Sequence, residues 1–302
     1  MSWARHALRR VWRWLPQRWA PATDVLPPAG SAQAQARCGP WALAWASRAG
    51  PHHLNQDCAG ARWRHLPDGA GLAAAVADGV THGAAGDVAA LALVQHWLQG
   101  PQPPQRQRSF LGAAEAAVAS ALRRLTREPG AATGAACWLQ PDGSGWATRV
   151  GDCRLLRVQP PAAGAWSAQP LLPDQTYAEL SRQGAGATPP APDDAGQPAR
   201  MVGVGSLGEP EWVPLAMAGG DLLLLVSDGL HSALSDSDWQ HLLATHLGAG
   251  ASGTPAAARP QARLLALADV LIQTAIQRGS EDDITVLAVM RCTHPRPEEP
   301  QP

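Results

Sequence analysis

Lysine is absent from this 302-residue sequence, so arginine supplies all 24 of its strongly basic side chains. Because 25 acidic residues oppose them, the formal net charge is -1 and no global basic field surrounds the molecule. Nucleic-acid binding relies on such a field, so this balance argues against a nucleic acid as the main partner.

The aromatic composition is also uneven, with one phenylalanine and one tyrosine beside 13 tryptophans. A surface that stacks nucleic-acid bases would need a basic setting, which the body of the sequence lacks. We therefore expect most of the tryptophans to fill the core or to clamp loops.

Several sequence signals of other protein classes are missing. The five cysteines form neither a Cys-x-x-Cys pair nor an even framework, which predicts reduced thiols in a cytoplasmic protein. No run of 18 uncharged apolar residues exists, so no membrane-spanning helix is predicted. Zinc-type His and Cys spacing, a Gly-x-Ser-x-Gly elbow and a P-loop are absent too, which argues against zinc proteins, serine hydrolases of that type and P-loop nucleotide binding.

The two ends of the chain differ from its body. Residues 1–20 interleave arginine with tryptophan and leucine, so a helix there would have a basic and an aromatic face suited to an anionic membrane surface or an acidic partner. The alternative is a poorly ordered extension that packs its tryptophans loosely. A signal peptide is not predicted here, because charged residues interrupt every possible apolar core in residues 1–20. We predict an extension and linker over 1–36, one domain over 37–292 and a disordered tail over 293–302.

The body contains strand and helix signals in blocks rather than in strict alternation, which favours an α+β sandwich over a doubly wound sheet. Apolar runs and turn signals predict strands at 41–47, 71–77, 133–140, 145–150, 153–158, 222–227 and 284–290. Helical periodicity predicts helices at 86–98, 110–127, 173–184, 235–247 and 262–278.

Four aspartates end or follow apolar runs, although they are spread over more than two hundred residues. A carboxylate at the mouth of a buried strand is costly unless it is paired, hydrogen-bonded or bound to a metal. Oxygen-only ligands favour hard cations such as Mg²⁺ or Mn²⁺, so the pattern predicts a multi-metal hydrolase. The four residues are Asp78, Asp152, Asp228 and Asp282.

Short motifs around these aspartates occur in an order that resembles a known family. They are Leu-Asn-Gln-Asp (54–57), Val-Ala-Asp-Gly-Val (76–80), Ala-Ala-Gly-Asp (84–87), Ala-Ala-Thr (131–133), Val-Gly-Asp-Cys-Arg (150–154), Asp-Gln-Thr (174–176), Leu-Leu-Leu-Val-Ser-Asp-Gly-Leu (223–230) and Gly-Ser-Glu-Asp-Asp-Ile-Thr-Val (279–286). Over roughly residues 40–291 the chain resembles the metal-dependent 2C-class (PPM) protein serine/threonine phosphatases, in a bacterial single-domain form. The resemblance implies a four-layer α-β-β-α sandwich of two mainly antiparallel sheets flanked by helices, with the metal site at one edge.

The resemblance also implies roles for individual residues. Asp78 would bridge two Mn²⁺ or Mg²⁺ ions, the carbonyl of Gly79 would bind one of them, and Asp228 and Asp282 would complete the second. Asp57 would act behind them on metal-bound waters. Asp152, with Asp228, would hold a third, weaker ion, or would instead be a structural turn aspartate.

The implied reaction is hydrolysis of phosphoserine or phosphothreonine in proteins, by in-line attack of a hydroxide held between the ions. The implied partners are phosphorylated proteins and a serine/threonine kinase system in the cytoplasm. A weak membrane-surface contact through residues 1–20 is a further expectation.

The sequence departs from the family pattern in ways that keep a second function open. His52 stands where the family has an arginine that grips the substrate phosphate; Arg48 or Arg62 are candidate substitutes. His82, one position off the family pattern, is a candidate general acid or a solvated loop residue. Asp283 replaces an asparagine, and could bind a cation or face solvent. The alternative function is a low-activity phosphatase-fold regulatory or binding module.

Overall fold

The structure, a computed structural model, describes residues 32–51, 54–66, 69–80, 84–99, 107–158, 166–184, 191–248 and 259–293. The basic N-terminal segment 1–20, His52, His82 and the tail beyond residue 293 lie outside these ranges. The predictions made for them therefore remain predictions.

Two antiparallel sheets form the centre of the molecule. The six-stranded sheet has the order β1-β2-β11-β10-β7-β8, and the five-stranded sheet the order β3-β4-β5-β6-β9. Their bounds are β1 Ala32–Cys38, β2 Trp41–Arg48, β3 Cys58–Leu66, β4 Gly69–Gly79, β5 Ala132–Leu139, β6 Ser144–Val150, β7 Arg154–Val158, β8 Ala168–Pro170, β9 Glu211–Ala216, β10 Leu222–Val226 and β11 Ile284–Arg291.

Helices cover the outer faces of both sheets. The helices α1 and α2 pack against the five-stranded sheet, and α5 and α6 against the six-stranded sheet. Their bounds, with those of two short helices, are α1 Gly86–Trp97, α2 Gln107–Leu125, α3 Tyr177–Arg182, α4 Asp228–His231, α5 Asp236–Leu247 and α6 Pro260–Gln277. The predicted four-layer α-β-β-α sandwich is confirmed.

Alternation along the strands divides the core into three parts, because successive strand residues point to opposite faces. In β4, Leu72, Ala74 and Val76 face the other sheet, whereas the alanines between them face α1 and α2. In β10, Leu223 and Leu225 face inward between the sheets. The strands are therefore buried on both faces, which explains why the central ones read as continuous apolar runs.

The central strands and long helices lie close to their predicted positions, but the first strand of the structure was not predicted. The strand β1 begins at Ala32 and pairs antiparallel with β2, so the last residues of the predicted linker belong to the sheet. The predicted helix over 173–184 is confined to α3. No helix within the described ranges is both long and apolar enough to cross a membrane.

Candidate active site

One end of the space between the two sheets is polar. The inward-facing alternation of the strands continues past the apolar core into polar residues at this end. At three strand ends, the residue two positions after an inward-facing apolar residue is polar: Ser47 after Trp45, Asp78 after Val76 and Ser227 after Leu225. At three strand starts, the residue two positions before one is polar: Asp57 before Ala59, Thr133 before Ala135 and Thr285 before Leu287. The strand register that builds the core thus also places these side chains next to one another.

A cavity of about 670 Å³ opens at this end of the sandwich. Asp78, Asp152, Asp228 and Asp282, which come from four separate segments of the chain, all line it. The structure therefore brings together the four aspartates that the sequence singled out. The other residues that line the cavity are Val80, Thr133, Gly196, Gln197, Pro198, Ser232, Ala233, Arg278, Gly279, Ser280 and Glu281.

Burial, and after it the neighbouring carboxylates, raises the pKa values of Asp78, Asp152 and Asp228. Burial, with the Asp228 carboxylate as the next cause, raises the pKa of Asp152 to about 7. Burial and then Asp282 raise the pKa of Asp228 to about 6. Burial and then Asp228 hold the pKa of Asp78 well above its ordinary range. Like charges so close together oppose simultaneous ionisation unless a cation accompanies them.

Asp57 lies behind the cavity in a buried hydrogen-bond network. Ser227 Oγ donates to Asp57 Oδ2 at 2.7 Å, and Thr285 N donates to Ser227 Oγ at 2.9 Å. Asn55 donates from Nδ2 to Ser47 Oγ at 2.8 Å and accepts the Asp57 N–H at 3.0 Å. Burial and then Asp283 raise the pKa of Asp57 well above its usual range. Asp57 does not line the cavity, and its role on metal-bound waters remains a prediction.

Asp283 has a structural role that the sequence analysis did not foresee. The expectation that Asp283 would bind a cation or face solvent is wrong. Asp283 is only 3% exposed, and both of its carboxylate oxygens accept hydrogen bonds from backbone N–H groups. Gly50 N donates to Oδ1 at 2.8 Å, and Gln56 N donates to Oδ2 at 2.5 Å. Asp283 thereby ties Gly50 and Gln56 to the start of β11.

Two glycines allow the backbone segments of the site to approach closely. A Cβ on Gly79 would collide with the backbone carbonyl of Gly86, where α1 begins. A Cβ on Gly229 would collide with the carbonyl oxygen of Asp283. Close packing against Gly86 explains why residue 79 is a glycine. The metal-binding role of the Gly79 carbonyl remains a prediction.

A buried arginine offsets part of the acidic charge at this end of the sandwich. Arg149 points between the sheets, and its Nη1 donates to the carbonyl oxygen of Gly151. The Gly151 N–H in turn donates to Gln175 Oε1 at 2.9 Å. These bonds hold the turn that carries Asp152.

The donor set fits hard divalent cations. Asp57, Asp152 and Asp228 each have a buried Oδ1 without a hydrogen-bond partner. Unsatisfied buried carboxylate oxygens are costly, and a cation would relieve both this cost and the mutual repulsion. Within the described ranges, no three His, Cys, Asp or Glu side chains already converge on one ion position. Binding would therefore draw the carboxylates closer together.

The remaining candidates are divided between this cavity and other places. His52 and His82 lie outside the described residues. Arg48 lines a different cavity, together with Gln33, Asp269 and Gln273. Arg62 points to the α1 side of β3, since its neighbours Ala61 and Trp63 face between the sheets. Neither arginine lines the aspartate cavity.

Sequence reasoning missed several residues of the site. Following the two-residue alternation to the ends of the predicted strands 133–140 and 222–227 would have identified Thr133 and Ser227. Nothing in the local sequence indicates that Arg278, at the end of α6, borders the same cavity as Asp78.

Comparisons with known proteins support this architecture. A family model for stage II sporulation protein E (SpoIIE) matches residues 181–291, and no curated protein matches the sequence. The serine/threonine phosphatase Stp1 from Staphylococcus aureus superimposes with a TM-score of 0.60 at 15% identity, covering 90% of this chain and 98% of that chain. The phosphatase PstP/Ppp from Mycobacterium tuberculosis gives 0.58 at 22%, covering 84% and 99%. The PstP catalytic domain in complex with 2 manganese ions gives 0.59 at 21%, covering 83% and 97%.

These likenesses establish the fold. The chain has the PP2C-type fold of bacterial serine/threonine phosphatases, which confirms the resemblance found in its sequence. The family-model match includes Asp228 and Asp282, whereas Asp78 and Asp152 lie before it.

Proposed function

We propose that this protein is a metal-dependent phosphatase that hydrolyses phosphoserine and phosphothreonine in proteins. One observation carries the proposal: four aspartates from distant segments line a single cavity at the edge of a phosphatase-type sandwich. A purely structural role gives little reason for this cluster, because burial and the neighbouring carboxylates both raise the pKa values of Asp78, Asp152 and Asp228.

Asp78, Asp228 and Asp282 would hold two Mn²⁺ or Mg²⁺ ions, with the Gly79 carbonyl as a further ligand. Asp152, with Asp228, would hold a third, weaker ion. When bound, such ions stabilise negative charge on phosphoryl oxygens and make a water molecule acidic enough to attack phosphorus in line. The manganese ions of the PstP structure are consistent with this assignment.

The chain's own residues supply orientation around this centre. Asp57 Oδ2 accepts a hydrogen bond from Ser227 Oγ, and its buried Oδ1 has no hydrogen-bond partner. Asp283 fixes the segment that precedes Asp57. Such outer contacts keep ligand carboxylates in register and commonly change metal affinity or activity by about 10- to 100-fold. His52 is proposed as a contact to the substrate phosphate and His82 as a general acid.

The natural substrates would be phosphorylated proteins, and a serine/threonine kinase would be the opposing enzyme. The proposed location is the cytoplasm, with a weak membrane-surface contact through residues 1–20.

Hydrolysis of a phosphothreonine peptide with and without Mn²⁺ tests this function. We expect metal-dependent phosphate release by the full chain, and a loss of at least about hundredfold in the Asp228→Asn variant. The matched control is Asp236→Asn, which makes the same change on the exposed first turn of α5.

Equal activity of the Asp228→Asn variant would contradict the proposed site. No turnover by folded, metal-loaded protein would instead favour the second candidate, a regulatory or binding module of phosphatase fold. The replacement of the usual arginine by His52 is the observation that favours this second candidate.

A further inference from the structure

The aspartate cavity has one arginine in its lining. Arg278 follows the last residue of α6, and its side chain borders the cavity along with Gly279, Ser280, Glu281 and Asp282. Of the lining residues that the structure describes, it alone carries positive charge. Arg278 is therefore the lining residue best suited to bind an anion.

A second helix holds Arg278 in place. Arg278 Nη2 donates to Asp238 Oδ1 at 2.6 Å. Asp238 Oδ2 is already engaged, because it accepts from Ser235 N at 3.0 Å and Ser235 Oγ at 2.6 Å in the capping box of α5. Asp238 thus forms a fixed anchor that limits the positions open to the guanidinium.

The pairing with Asp238 leaves much of Arg278 available to other groups. Its side chain is 57% exposed, against 11% for that of Asp238. A guanidinium has five N–H donors, and the ion pair accounts for one of them at Nη2. The pair also raises the pKa of Arg278, so the group remains charged.

This exposure places Arg278 at the rim of the cavity rather than at its floor. Asp152 and Thr133, which line the same cavity, are 4% and 1% exposed. A phosphoryl group bound by cations at the buried aspartates would lie deeper than a guanidinium tied outward to α5. Arg278 is therefore positioned to contact the residues next to the phosphorylated side chain.

Two chain segments of the cavity lining are held by hydrogen bonds of their own. In the segment 196–198, the carbonyl of Gln197 accepts from Tyr177 N at 3.1 Å, and Pro198 pairs with Thr176. In the segment 278–282, Ser280 Oγ donates to the carbonyl of Gly229 at 2.7 Å. Because both segments border the cavity, a peptide whose phosphorylated residue enters it would contact them.

We propose that Arg278 is a specificity-determining residue that favours phosphoprotein substrates with a second anionic group beside the phosphorylated residue. This inference rests on the proposed function. The second group would be a carboxylate or another phosphate, both of which match the donor geometry of a guanidinium. Glu281, which also lines the cavity, opposes an unselective attraction of anions, so the preference depends on the position of the second charge.

Peptide turnover tests the proposal. The probes are phosphothreonine peptides that differ only two positions before or after the phosphothreonine, where they carry alanine, aspartate or a non-hydrolysable phosphonate analogue of phosphoserine. We expect wild-type kcat/KM to be about three- to fivefold higher for an acid-flanked peptide than for the alanine peptide, mainly through KM. High salt should reduce this preference, because the contact is exposed.

The Arg278→Gln variant should lose the preference while retaining turnover of the alanine peptide within about twofold. Glutamine keeps an N–H donor for Asp238, so the rim should remain folded, and thermal melting would verify this. Arg278→Lys should restore part of the preference. The matched control is Arg182→Gln, which removes the same charge from an exposed arginine on α3 outside the cavity.

An equal effect of Arg278→Gln on all peptides, or none, would overturn the proposal. The aspartate and phosphonate probes distinguish the two kinds of second anion. If the wild type hydrolyses no peptide, the proposed function fails, and binding of labelled peptides by fluorescence anisotropy still tests Arg278. In that assay, tighter binding of acid-flanked peptides must disappear in Arg278→Gln and persist in Arg182→Gln.

Discussion

Gly229 shows how a single residue can limit the geometry of the whole site. It is the second residue of α4, directly after Asp228, and it packs against the backbone of Asp283. A side chain at this position would push α4 away from the segment that carries Asp282. The spacing between Asp228 and Asp282 therefore depends on the absence of a Cβ at residue 229.

The substitution Gly229→Ala should destabilise the protein and weaken metal-dependent activity. Its Cβ would meet the carbonyl oxygen of Asp283 and lie 3.1 Å from Asp282 Cβ, so backbone must shift. Overpacking of this kind typically costs about 1–3 kcal/mol. Thermal or urea denaturation would measure the loss, and phosphopeptide turnover would measure the effect on the site.

The matched control is Gly112→Ala, within α2. A Cβ at residue 112 meets nothing within 4 Å, and helical glycine is less stable than alanine by about 0.5–1 kcal/mol. The two Gly→Ala changes should therefore have opposite signs in the free energy of unfolding. Equal stability of Gly229→Ala and wild type would contradict the packing argument.

At the scale of elements, the sequence predicted the interior of the fold better than its borders. The helices α1, α5 and α6 and the central strands β4, β5 and β10 were predicted close to their positions, because long periodicity or buried apolar runs mark them. The missed strands β1, β3, β8 and β9 all lie at sheet edges. Edge strands have one partner and need fewer apolar residues, so their sequences resemble linkers.

The capping box of α5 is an element-scale feature with a measurable contribution. Ser235 Oγ accepts from Asp238 N at 3.2 Å, and Asp238 Oδ2 accepts from Ser235 N at 3.0 Å. Ser235→Ala removes the side-chain half of this cap and should destabilise the protein by about 0.5–2 kcal/mol. Chemical denaturation measures this change.

Thr176→Ala serves as the comparison for Ser235→Ala. Thr176 caps the six-residue helix α3 by accepting from Glu179 N at 3.3 Å, and no residue of that helix is buried. Its loss should cost less than the loss of Ser235. If Thr176→Ala lowered the free energy of unfolding more than Ser235→Ala, the cap of α5 would contribute little to stability.

At the scale of the whole molecule, the aspartate cluster couples folding to pH and to divalent cations. The pKa values of Asp152 and Asp228 are raised from 3.8 to about 7 and about 6, so the folded, ion-free protein binds more protons than the unfolded chain. Stability from these groups is fully present below about pH 4 and is lost as pH rises through 6 and 7.

Burial lowers the pKa of His231 to about 4, so this histidine stabilises the fold as pH rises to about 6.5. In EDTA, the aspartates should outweigh it, and the melting temperature should fall between pH 5 and pH 7.5. Added Mn²⁺ should stabilise the protein more at the higher pH, because its ligands must be deprotonated. Thermal denaturation at both pH values measures both effects, and the double change Asp152→Asn with Asp228→Asn should flatten both dependences. An ion-free melting temperature that rises over this range would contradict the assignment.

The composition of the site could be predicted only in part. The four aspartates were found because each lies beside the end of a strand-like run and their motifs occur in a known order. The roles of Arg278 and Asp283 depend on contacts across the fold, from α6 to α5 and from β11 to residue 50. No local pattern reports which distant segment a side chain will meet.

The composition of the edge strands affects how this molecule meets other copies of itself. Among the strands described, β8 has three residues and ends at Pro170, β9 contains Pro214, and β3 carries Arg62 and Arg64. Short length, proline and charge each discourage a foreign strand from adding to a sheet. Without these features, a sheet could extend from one chain to the next. The edge strands β3, β8 and β9 therefore protect a concentrated solution of this protein from aggregation.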